Sequence, residues 1–203
     1  MNLIYLHGLD SDANATKGKL LADYCQQHYP NIMVMRPDLN RSPSEVVEKV
    51  TALINESPKE TLLVGSSLGG YFATFLSNTI GCPALLINPS IQPHISLQRF
   101  SLNNEHLKSS KEQTIYTTSG GWQMTRNDLD WFAAHSLTEV IYPKRVLAVV
   151  KSGDELLNPE LAINFYTQHG AEVIVQAGGD HRFSDFAEHL SKLLPKLLAL
   201  AEA

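Results

Sequence analysis

Thr61-Leu62-Leu63-Val64-Gly65-Ser66-Ser67-Leu68-Gly69-Gly70-Tyr71-Phe72 sets the reading of this 203-residue chain. Thr61 to Val64 is an apolar run of strand length, and Tyr71, Phe72, Ala73, Phe75 and Leu76 continue into an apolar helix. Between them stands G-x-S-x-G. Glycines two before and two after Ser67 let strand and helix approach without Cβ clashes, so the serine is presented on a sharp turn above the sheet. The N–H of Leu68 and the start of the new helix then point at any developing oxyanion. Alone, the five residues also describe an ordinary small-residue turn; the flanking strand and helix favour a nucleophile at Ser67.

Outward from that unit, short Val-, Ile- and Leu-rich runs alternate with helix-period segments, the pattern of βαβ units and a parallel sheet covered on both faces. Strands are expected at Asn2 to Leu6, Ile32 to Met35, Thr61 to Val64, Ala84 to Ile87, Arg145 to Val150 and Glu172 to Gln176. Ser42, Pro43 and Glu45 read as a helix start with a capping box. Leu20, Leu21, Tyr24 and Cys25 mark a helix before the second strand, and Asn158-Pro159 opens one that closes at Gly170. Phe186, Leu190, Leu193, Leu194, Leu197 and Leu198 form a final apolar stripe, with a kink or restart expected at Pro195. Pro89 to Lys144 breaks the alternation: it offers no convincing strand and one short helix from Thr125, capped through Asp128. An insertion of this length in an α/β chain reads as a lid or binding loop.

Two further loops follow strands that come after the serine. Lys151-Ser152-Gly153-Asp154-Glu155 follows the fifth, and Ala177-Gly178-Gly179-Asp180-His181-Arg182-Phe183 the sixth. Serine, acid, histidine, each after a successive parallel strand, is the order of a Ser-His-Asp triad on an α/β sheet. Ser67, Asp154 and His181 are the catalytic candidates; Glu155 is the rival acid but stands one residue further from the glycine turn. His7-Gly8-Leu9-Asp10-Ser11 ends the first strand, where Leu9 N–H can supply a second oxyanion donor beside Leu68. His7 itself reads as an imidazole holding that loop, since the base in this order follows the serine. His94, after Asn88-Pro89, is expected to line the pocket. Trp122 and Trp131, with Phe132 and Tyr116, either form an apolar acyl pocket or pack the insertion onto the core.

Sixteen Lys plus Arg against 21 Asp plus Glu give a formal charge of −5, without the basic patch that nucleic acid or anionic lipid would require. No leader or membrane span is read at the N-terminus or elsewhere. Cys25 and Cys82 sit in unrelated contexts without metal-ligand spacing, so both read as buried thiols, and no metal site is expected. Together these features favour a cytoplasmic location and a small-molecule substrate, with oligomeric state unreadable. No dinucleotide fingerprint or phosphate loop is present.

With Ile4-Tyr5-Leu6-His7-Gly8, the Gly65 to Tyr71 elbow, Asn88-Pro89, Gly153-Asp154-Glu155 and His181 before Phe183 in place, the chain resembles the YqiA-like family of small bacterial esterases, a compact branch of the α/β-hydrolases. The likeness runs from end to end, over 1–203 read as one domain with a lid-like insertion at about 89–144. It implies Ser67 as nucleophile, His181 as base, Asp154 as acid, and cleavage of carboxylic esters or acyl thioesters of the acyl-CoA type without a cofactor. Ser101 to Ser136 is longer than the family pattern. Compared with full-sized relatives the two leading strands are absent, so about six parallel strands in the order 2-1-3-4-5-6 are expected. Acyl transfer or peptide cleavage on the same triad, or a catalytically silent binding module, are the competing functions.

Overall fold

The computed structural model describes residues 1–56, 61–102 and 112–202. Six parallel strands make the central sheet in the order β2-β1-β3-β4-β7-β8: β1 (Asn2–Leu6), β2 (Met33–Met35), β3 (Thr61–Ser66), β4 (Ala84–Ile87), β7 (Val146–Lys151) and β8 (Glu172–Gln176). This is the order expected from the sequence. Because successive side chains of a strand point to opposite faces, each strand feeds two cores. Ile4, Leu6, Leu63, Leu86 and Ala148 face one layer, and Leu3, Tyr5, Leu62, Val64, Leu85, Leu147 and Val149 face the other.

The first layer is built from α2 (Pro43–Asn55), α3 (Leu68–Ile80) and α7 (Pro159–Gln168), through Val46, Val50, Tyr71, Phe72, Leu76 and Tyr166. The second holds α1 (Thr16–His28) and α8 (Phe186–Leu200), through Leu21, Cys25, Phe186, Leu190, Leu193, Leu194 and Leu197. The Ser42 cap of α2 is as expected: its backbone N–H donates to Glu45 Oε2 at 3.0 Å. Asn158 caps α7 by accepting from Glu160 N–H, and Gly170 follows with φ +79°. Of the kink or restart expected at Pro195, the restart does not occur: α8 continues through it as one element. Cys25 and Cys82 are both buried, which pushes each thiol up to about 11. Among the described residues no helix is long and apolar enough to cross a membrane.

Between β4 and β7 the chain forms α4 (Pro93–Ser96), α5 (Arg99–Leu102), β5 (Thr114–Thr117), β6 (Gln123–Thr125) and α6 (Arg126–Ala134). Part of this insertion, 103–111, lies outside the described residues. The helix from Thr125 is as expected, with Thr125 N–H donating to Asp128 Oδ2 at 2.8 Å. The expectation of no strand is corrected by the antiparallel β5–β6 pair. Runs of four and three residues around a Ser119-Gly120-Gly121 turn are too short for a period-two pattern to emerge.

Candidate active site

Every candidate catalytic side chain stands at the carboxyl ends of the parallel strands, the edge where open α/β sheets hold ligands. Ser67 follows β3 directly and is the N-cap of α3, with φ +56° and ψ −119°. A serine in that region is strained, and here the surroundings hold it. Its N–H donates to Ile87 O at 3.0 Å, and its carbonyl accepts from Gly70 N–H at 2.8 Å and Ser90 N–H at 3.0 Å. The turn needs its glycines because backbone lies where side chains would be. A Cβ on Gly65 would sit 2.3 Å from Gly69 O, and one on Gly69 would sit 2.0 Å from Leu6 O.

His181 Nε2 is 2.9 Å from Ser67 Oγ, and its Nδ1 is 2.8 Å from Asp154 Oδ2. The other oxygen of Asp154 accepts from the N–H groups of Leu156 and Leu157 at 2.9 and 2.8 Å. Burial pushes this carboxyl up, but the bonds from His181 and Leu157, the nearby imidazole and the Leu156 bond outweigh it and hold Asp154 below the usual carboxylate range. An ionised Asp154 has no proton to give, so the network assigns the ring hydrogen to Nδ1 and leaves the Nε2 lone pair facing the serine hydroxyl. Glu155, the rival acid, lies elsewhere: its Oε2 accepts from His181 N–H at 2.9 Å. Both carboxylates bind one histidine, Asp154 at the ring and Glu155 at the backbone.

His7 occupies the position read for it as the holder of the Gly8 to Ser11 loop. It is 4 % exposed; Nδ1 is 2.8 Å from Gly8 O, and Nε2 accepts from Leu39 N–H at 2.9 Å. The same Nε2 lies 3.4 Å from Asp38 Oδ1. The loop is fastened from its far end as well. Asp10, at φ +55°, accepts from Tyr116 Oη–H at 2.7 Å and from Ser119 N–H at 3.1 Å, both in or beside the β5–β6 hairpin. Leu9 lies between these two anchors. Leu68, at the first position of α3, offers an N–H that no intrahelical carbonyl reaches.

A cavity of about 720 Å3 opens over Ser67 and His181, and Leu9, Leu68, Leu97, Leu156 and Phe183 are among its walls. Of the three side chains expected to bind substrate, none is among the described lining residues. Trp122 is buried in the core cluster with Met124 and Phe132. Trp131 stacks on His135 at 4.0 Å and packs against Phe75 of α3. These aromatics fasten the insertion to the helical layer rather than shaping the cavity, because α6 presents its apolar face to α3. His94 lies on α4, but it is Ser96, Leu97 and Arg99 from this stretch that reach the cavity.

Asn88 is the residue whose part in the site the motifs do not show. It is 2 % exposed and has φ +42°, a region Asn tolerates better than most residues. Its Nδ2 donates to the carbonyls of Asp180 and His181 at 3.0 and 3.1 Å, while its Oδ1 accepts from Lys151 N–H at 2.8 Å. One buried amide therefore ties the loop carrying the acid to the loop carrying the histidine. The only sequence signal is a polar residue ending an apolar strand before a proline. Asn88→Ala leaves three backbone groups without their partner and is expected to cost about 3 kcal/mol of stability, read from the urea midpoint. A loss below about 1 kcal/mol would show that the two loops hold each other unaided.

The model of the family described as "Uncharacterised protein family (UPF0227)" matches residues 2–197. The chain belongs to UPF0227. This is the YqiA-like family that the motifs resemble. A curated member, the UPF0227 protein Ent638_1623 of Enterobacter sp. (strain 638), is 22 % identical over 198 residues, covering 94 % of this chain and 96 % of its own. Among solved structures, Est1E from Butyrivibrio proteoclasticus superposes with a TM-score of 0.74 at 15 % identity, over 99 % of this UPF0227 chain and 88 % of its own. Est1E has also been solved with ferulic acid bound. The esterase domain of a Rhodothermus marinus protein superposes at 0.69 and 16 % identity, over 99 % and 86 %. At these identities the likeness establishes the shared α/β-hydrolase fold.

Proposed function

We propose that this chain is a serine esterase acting on carboxylic esters or acyl thioesters. The observation that carries the reading is the continuous line from Asp154 Oδ2 through the His181 ring to Ser67 Oγ, closed by bonds of 2.8 and 2.9 Å. The esterase domain among its structural neighbours supports the same class. His181 Nε2 takes the hydroxyl proton as Ser67 Oγ attacks the acyl carbon, and the carbonyl electron pair moves to oxygen. The N–H groups of Leu9 and Leu68 hold that oxyanion. Collapse expels the alkoxide or thiolate, which collects the proton from His181. Water then attacks the acyl-enzyme with His181 again as base, releasing the free acid and restoring Ser67.

A fluorophosphonate probe tests the nucleophile directly. The folded protein is expected to be labelled on the peptide containing Ser67, and urea-unfolded protein is expected to stay unlabelled. Absence of label on folded protein would overturn the reading in favour of a silent, non-catalytic binding module.

A further inference from the structure

The described walls of the cavity over Ser67 carry a charge pattern opposite to that of the chain. The whole sequence has a formal charge of −5, yet the described cavity walls hold three cations, Lys17, Arg99 and Arg182, against one carboxylate, Asp10. Both oxygens of that carboxylate are taken, by Tyr116 Oη–H and Ser119 N–H. Among the described residues none of the three cations forms an ion pair. Lys151 shows the contrast: buried close by, its ammonium donates to Asp185 Oδ2 at 2.5 Å.

Two of the cations are set at the His181 loop. Arg182 directly follows His181, and the ammonium of Lys17 donates to the Arg182 carbonyl at 2.5 Å. Burial pushes Lys17 below its ordinary value, Asp180 opposes this and the neighbouring Arg182 charge adds to it. The Asp180 carboxylate is itself engaged by Ser184 Oγ–H and N–H. An incoming anion would relieve the crowding of like charge that Lys17 and Arg182 impose on each other. A cleft lined with one sign of charge concentrates ligands of the other.

We propose that the esters this cavity takes carry an anionic oxyacid group, a carboxylate or a phosphate, apart from the scissile bond, with Lys17, Arg99 and Arg182 as its receptors. This inference rests on the esterase reading. Apolar walls at Leu68, Leu97, Leu156 and Phe183 leave room for the uncharged remainder, so the substrate class is an amphiphilic acyl ester rather than a fully apolar one.

Paired anionic and neutral substrates supply the test. One arm compares monoethyl glutarate with ethyl hexanoate, which places the anion on the acyl side. A second compares 3-phosphoglyceryl butyrate with glyceryl butyrate, which places a phosphate on the alcohol side. In at least one arm kcat/KM for the anionic ester is expected to exceed that for its neutral partner about tenfold at low ionic strength, each exposed pair contributing a small share. That ratio is expected to shrink as salt screens the charges and to fall in Arg182→Met and Arg99→Met, where effects common to both esters cancel. A ratio at or below one in both arms, with the neutral esters turned over, overturns the anionic class and leaves the esterase reading standing. Turnover of none of the four esters, together with no fluorophosphonate label on Ser67, overturns the esterase reading, and this inference falls with it.

Discussion

Ser67→Ala is expected to lower kcat on a short p-nitrophenyl ester by a factor on the order of 10⁶, with little change in stability. The size of the effect follows from the geometry. In the proposed mechanism Oγ is the one atom that forms the acyl bond, and His181 Nε2 stands 2.9 Å from that hydroxyl. Without the hydroxyl the ring has nothing to deprotonate except water, and only the oxyanion donors and substrate binding retain any rate advantage. The folded state loses one oxygen, while the turn that strains Ser67 is held by its backbone bond to Ile87 O and by those from Gly70 and Ser90 N–H. Turnover within tenfold of the parent protein would remove Ser67 from the mechanism, and the near-unchanged urea midpoint expected of the variant excludes unfolding as the cause of any loss.

Asp154→Asn is expected to cost roughly 10⁴ in kcat. The amide keeps the shape and can still accept from Leu156 and Leu157, but its Nδ2 then faces His181 Nδ1 as a donor. The ring answers by moving its hydrogen to Nε2, which turns a donor toward Ser67 and removes the base. The same substitution carries a pH signature in stability. Asp154 is held below its ordinary value in the folded chain, so its ionised form stabilises the fold above the unfolded value near 4. That contribution is lost as pH falls through the folded value. The stability advantage of the parent over Asp154→Asn, from urea melts at a series of pH values, is therefore expected at neutral pH and expected to shrink steadily below about pH 5. An advantage independent of pH would mean that Asp154 is not held ionised by these partners.

Much of this could be read from residue order. The elbow is legible because a glycine needed for close approach cannot be replaced by another residue type: Gly69 stands where Leu6 O lies 2.0 Å from any added Cβ. Asp154 and His181 are legible because a parallel sheet brings all loops at one strand end together, whatever their separation along the chain. The cavity was not legible. Trp122 and Trp131 announce only that large apolar rings must be covered, and either a ligand or α3 satisfies that requirement. Asn88 escaped because its task is defined by three backbone groups from two distant loops, and backbone groups have no sequence signature. The β5–β6 pair escaped for a different reason, since seven residues of strand carry too little pattern to stand out from polar loop.

The fastening of Asp10 to Tyr116 and Ser119 has a consequence for how this chain can change. Tyr116 lies 106 residues from Asp10, yet its hydroxyl holds the residue that follows Leu9. Surface hairpins ordinarily absorb insertions and deletions at small cost. Under the proposed mechanism a one-residue slip here would be felt as a displaced oxyanion donor at Leu9, so the hairpin would be bound by the tolerances of the reaction centre although it supplies no reacting atom. Divergence in the two segments is therefore coupled: recombining the first strand loop of one homologue with the hairpin of another would leave Asp10 without these partners and, under the proposed mechanism, loosen the oxyanion hole.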